Sequence, residues 1–149
     1  AAPTLFLITA SASFAQQGGS LAGAWRITQR NGSNSNVQPS LFLFTGSHYS
    51  LMIVTGDKPR PALPDDVSKA TADQLQATYG PLIANSGTYE IQGDMLIMHP
   101  SVAKNPNAMA PGSNIRQSFK IEGKTLTLGP PTFNQKKKGT NTTTLTRVE

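Results

Sequence analysis

The residues best suited to chemistry in this chain are few, and several fall in one short stretch, "GTYEIQGDMLIMHP", residues 87 to 100. It holds His99, one of two histidines in the chain, beside Met95 and Met98, two of its four methionines. Thioether and imidazole groups together suit Cu(I). Strand alternation argues against that use, because Met95, Ile97 and His99 share one face while Leu96 and Met98 share the other. The second histidine, His48, falls in a hairpin tip. Met98 therefore reads as core filler, and His99 as a polar group near a strand end, hydrogen-bonded or touching a ligand. No metal and no cofactor is expected.

Enzyme signatures are absent. There is no nucleophile elbow with a Ser/His/Asp order, no H-E-x-x-H, no P-loop and no dinucleotide glycine motif. Two histidines and eight carboxylates, the latter mostly in turns and loops, leave little for acid–base work. With no cysteine, disulfides, thiolate metal sites and thiol nucleophiles are excluded.

The elements that must position these residues read as short strands. Charged residues make up 14% of a 149-residue chain rich in Gly, Pro, Ser, Thr and Asn, which suits strands and turns in one domain. "LAGAWRITQR" (21–30) is the first strand; "SLFLF" (40–44) and "YSLMIV" (49–54) form a hairpin across Thr45–His48. Three prolines in "TGDKPRPALP" end that ladder. Thr71-Ala72-Asp73-Gln74 is a capping box for a single short helix, with Leu75 and Tyr79 on one face and Gly80-Pro81 as its stop. "NSGTYEI" turns at Gln92-Gly93 into "DMLIMH", which runs into a polar loop from Pro100 to Gly112. "NIRQSFKI" then turns at Glu122-Gly123 into "KTLTLG", and "TNTTTLTRV" is last.

The expected fold is all-β: an eight-stranded antiparallel up-and-down barrel, with one short helix in the crossover from the third strand to the fourth. Closing the meander removes its exposed edges. Eight strands leave room for side chains or for one small ligand.

Residues 1–15, "AAPTLFLITASASFA", combine an apolar stretch around Leu5–Ala10 with small residues at Ser13 and Ala15, the pattern of a signal-peptidase site. The positively charged front of a signal peptide is missing, so the chain is expected to begin inside one. The domain then covers residues 16–149, in a periplasmic or secreted protein with no stable membrane insertion after signal removal. The formal charge of +5 is concentrated at Lys136-Lys137-Lys138. This run reads as a solvated loop tip, since a nucleic-acid contact would want interleaved aromatics and more arginine. No nucleic-acid partner is expected, and the sequence carries no signal for an oligomeric state.

The ordered set "LAGAWRI" with Gly23 and Trp25, "FTGSHYSLMIVTGDKPRP", "YGPLIANSGTYEIQGDMLIMHP" and "RQSFKIEGKTLTL" resembles the bacterial lipocalin-like domain family, over roughly residues 20 to 148. The chain departs from that pattern at Pro100, which interrupts the strand after His99, and in the Lys-rich loop before the last strand. The resemblance implies a small calycin-like barrel that holds a small hydrophobic or amphipathic molecule in its lumen. It also implies that Trp25 closes the barrel floor with Arg147 stacked across it.

Tyr89 and Arg116 match family positions and are candidates to point inward. A buried guanidinium is costly unless paired, so an inward Arg116 would imply a protein carboxylate or an anionic ligand headgroup. Glu90 adjoins Tyr89 and should face the other way. Phe42, Phe44, Tyr49, Met52 and Phe119 supply apolar bulk, as core or as a lined pocket. The expected ligand contacts are Tyr89, His99, Arg116, Phe44 and Tyr49. Two alternatives stand beside a binding protein: an isomerase or cyclase using His99, Tyr89 and Arg116 as acid–base and anion clamp, and a contact protein with a filled interior.

Overall fold

A computed structural model describes residues 20–137 and 139–149. The signal segment expected over residues 1–15 lies outside the described residues. Strands β1 (Gly23–Arg30), β2 (Ser40–Phe44) and β3 (His48–Val54) precede helix α1 (Ala72–Tyr79). After it come β4 (Leu82–Gln92), β5 (Met95–Ala103), β6 (Ile115–Glu122), β7 (Thr125–Leu128), β8 (Thr132–Phe133), β9 (Lys136–Lys137) and β10 (Thr143–Arg147).

Each strand of β1–β7 pairs antiparallel with the next, β10 joins β7 to β1, and pairing of β5 with β6 makes the ring continuous. The result is a closed eight-stranded barrel, as the sequence predicts. α1 lies in the crossover between β3 and β4, and its capping box is formed: the Thr71 hydroxyl accepts from Gln74 N while the Gln74 carboxamide oxygen accepts from Thr71 N.

The packed core fills one end of the barrel. Trp25 is fully buried there, among Leu21, Leu96, Leu126 and Leu145. Its indole Nε1 donates to the Leu21 carbonyl at 2.9 Å. The Arg147 guanidinium lies 4.1 Å from the centre of the Trp25 ring, directly across the β1–β10 ladder, and donates to the carbonyls of Ala22 (2.7 Å) and Ser20. Gly23 makes this possible: with φ at +132°, a Cβ there would sit 2.5 Å from both Arg147 Nη1 and the Glu149 carbonyl. The glycine of the Gly-x-Trp pattern is thus the space the arginine occupies.

Several details differ from the sequence reading. Pro100 does not end its strand: β5 continues to Ala103 through a bulge, with Gly87 opposite Pro100 and Ser86 opposite Val102, which leaves Ser101 as the extra residue. A bulge is where a strand accommodates proline. The close approach requires a glycine, since a Cβ on Gly87 would lie 2.0 Å from the His99 carbonyl oxygen. The polar loop is correspondingly shorter and contains a 3-10 turn at Pro106–Met109.

The two hairpin turns each fall one residue later, at Gly93-Asp94 and Gly123-Lys124, because Gln92 pairs with Met95 and Glu122 with Thr125. The lysine run is no simple loop tip either. Lys136 and Lys137 form β9, paired with β8 across Asn134 and Gln135, both with positive φ; β8 in turn extends the edge of β6. Both lysines are exposed.

The helix buries little apolar surface. Tyr79 is 42% exposed, and only Thr78 of α1 is buried. Polar ties hold α1 instead: Thr78 donates to the Pro61 carbonyl, and Arg60 to the Thr78 carbonyl. Met52 is 54% exposed on the outer wall beside Leu41, and so contributes no core bulk.

Candidate functional site

The end of the barrel opposite Trp25 is hollow. A cavity of about 680 Å³ occupies it, a size that suits a small organic ligand. Its deep wall is the top of the core cluster: Ile27, Phe42, Leu51, Met98 and Leu128. Above them Ile53, Ala84, Ala103, Ala108, Ile115 and Phe133 continue the apolar lining. The polar groups gather where strands end: Arg30, Thr55, Lys104, Asn105, Asn107, Asn141 and Thr143. Ile83, 43% exposed, lines the cavity and also meets solvent, which marks this end as the mouth.

Three polar side chains reach into the apolar part. Asn85 on β4 accepts a 2.7 Å hydrogen bond from the Tyr49 hydroxyl through its side-chain oxygen. Tyr49 is buried beneath the cavity, and burial raises its pKa well above the ordinary phenol value. Gln117 on β6 donates to the Gly129 carbonyl at 3.0 Å.

The third, Arg30, comes from a bulge. Ile27 pairs with Leu145 but Gln29 pairs with Thr144, so Thr28 is the extra residue. The bulge reverses the facing of the last residues of β1, and Arg30 turns inward opposite Thr143. Arg30 Nε and Nη2 are shielded from water with no hydrogen-bond partner among the described residues. Desolvation lowers the pKa of this guanidinium. Lys104, at the mouth, donates to the carbonyls of Tyr79, Gly80 and Leu82, and so links the end of α1 to the rim.

The expected site residues are dispersed. Met98 faces inward and is buried, whereas His99 stands on the outer face, where its Nε2 lies 3.6 Å from Glu90 Oε1. The side chains of both partners are about half exposed (45% and 54%), a geometry that contributes little stability. Arg116 also faces outward, opposite Ile97 and between the inward Ile115 and Gln117.

Tyr89 is inward but sits at the packed end. Its hydroxyl donates to the Thr45 carbonyl, its ring meets Phe44 edge-on at 5.3 Å, and burial raises its pKa. Phe44 is buried in the core and does not line the cavity. His99, Tyr89 and Arg116 are therefore not assembled into one cluster, as the alternative of an acid–base and anion clamp would require. Among the described residues, no three His, Asp or Glu lie close enough to hold a metal ion, and no helix is long and apolar enough to cross a membrane.

Arg30, Asn85 and Gln117 were missed because each lies in a stretch whose facing depends on register. Asn85 and Gln117 follow once the strand pairings are known. Arg30 requires the Thr28 bulge, which leaves no mark in the residue types around it.

The sequence of residues 23–148 matches the family model of the lipocalin-like domain. Searches of curated proteins and of solved structures returned no match. The fold is a closed eight-stranded barrel consistent with that match, a ligand-binding kind of barrel. With a match across nearly the whole described chain and a floor built on Gly23, Trp25 and Arg147, the chain belongs to the lipocalin-like domain family.

Proposed function

We propose that this protein binds a small apolar or amphipathic molecule in the open end of its barrel. One observation carries the reading: the packed core gives way to an apolar cavity with a polar rim. An interior built only for stability would be filled, since close packing is the rule in protein cores. The neutral fluorophore N-phenyl-1-naphthylamine tests it. It should bind with one-to-one stoichiometry and brightened emission. Ile53→Trp, which adds bulk to the cavity wall, should weaken binding at least tenfold while the thermal midpoint moves by only a few degrees. Binding unaffected by Ile53→Trp would place the probe elsewhere and defeat the proposal.

Export remains part of the proposal. It is supported by the apolar Leu5–Ala10 stretch, the small residues at Ser13 and Ala15, and a composition without cysteine. N-terminal sequencing of protein recovered from a periplasmic or culture fraction should read from Gln16.

A further inference from the structure

The cavity is cationic at its rim, and among the described residues that line it there is no carboxylate to neutralise that charge. Arg30 ends β1 there, and its unpaired Nε and Nη2 form one edge of the guanidinium, the fork that matches the two oxygens of a carboxylate. None of the chain's eight carboxylates lines the cavity, although all eight belong to the described residues. A second cation at the rim, Lys104, is engaged with three backbone carbonyls. The side chains of Ile27, Phe42 and Leu128, which line the same cavity, have no polar atom to offer.

A guanidinium held against apolar walls without a counter-ion has most to gain from an incoming oxyanion, because the pair forms where water competes least. Arginine has several rotatable side-chain bonds, through which the guanidinium can turn its unpaired edge toward the cavity.

We propose that the ligand is an amphipathic carboxylate, with its head paired to Arg30 at the mouth and its tail lying on the apolar floor. This inference rests on the ligand-binding role proposed above. Dodecanoate and dodecanol share a tail and differ in the head, and each can displace N-phenyl-1-naphthylamine. On the full chain, dodecanoate should bind at least tenfold more tightly than dodecanol.

In Arg30→Met, which keeps the length and removes the charge, that preference should vanish, the ratio of the two affinities falling to about one. Arg30→Lys, which keeps the charge and removes the fork, should retain only part of the preference. Equal affinities in the wild-type protein, or a preference that survives Arg30→Met, would overturn the assignment and leave the binding role standing. Failure of all three molecules to bind the wild-type protein would end both.

Discussion

Arg147→Met probes the floor on which the hollow end depends. The substitution keeps a long apolar stem over Trp25 but removes the charge that stacks on the ring at 4.1 Å and the donors to the Ala22 and Ser20 carbonyls. A cation over a fully buried indole contributes about 1–2 kcal/mol. The bond to Ala22 is partly buried and should add about 1 kcal/mol, while the exposed bond to Ser20 adds little. The expected loss is therefore about 2–3 kcal/mol, which for a domain of this size lowers the thermal midpoint by on the order of 10 °C.

Trp25 is the only tryptophan, so its fluorescence reports this floor directly in both urea and thermal unfolding. Gly23→Ala should produce a similar loss by a different route, since its Cβ would displace the guanidinium and strain a backbone at positive φ. If Arg147→Met unfolded within 0.5 kcal/mol of the wild type, on the order of a weak surface contact, the cation–π account of the floor would be wrong.

Gly87→Ala should cost at least ~2 kcal/mol in urea unfolding, because the β5 backbone at His99 must retreat from a Cβ 2.0 Å away. Tyr49 sets an alkaline limit. Burial raises its folded-state pKa, so above pH ~10 the unfolded chain releases a proton that the folded chain keeps, and stability falls with rising pH. Tyr49→Phe should flatten that alkaline limb by up to ~1.4 kcal/mol per pH unit, measured by urea unfolding at successive pH values. His99→Ala, on the outer face beside Glu90, should leave both the unfolding midpoint and the affinity for N-phenyl-1-naphthylamine nearly unchanged.

Much of the barrel is legible in the residues. Alternating runs bounded by turn residues give the eight staves, and the capping box at Thr71 gives the helix, because these signals are local. Alternation also sets His99 and Met98 on opposite faces, but it does not say which face is inward, and the reading of His99 as a ligand contact differs from its place on the outer face. The hollow end is not legible in the same way. Whether Arg30 and Arg116 face in or out depends on counting residues through the strand, and a bulge at Thr28 reverses the count for Arg30 without any glycine or proline to announce it. Pro100 does announce an irregularity, but its type is ambiguous: a strand end and a bulge both admit proline. Met52 reads as core or pocket bulk because hydrophobicity alone does not exclude an exposed position, and the structure leaves it on the outside with Leu41 and Leu43.

The central claim is that a small molecule enters the hollow end of the barrel, and methyl NMR tests it most directly. N-phenyl-1-naphthylamine carries aromatic rings whose ring currents shift nearby methyl resonances. Titration should move the methyls of Ile27, Leu51, Met98 and Leu128, which line the cavity, and leave those of Leu41, Leu43 and Met52 on the outer wall in place. Shifts confined to the outer methyls, or no shifts at saturating probe, would contradict the account.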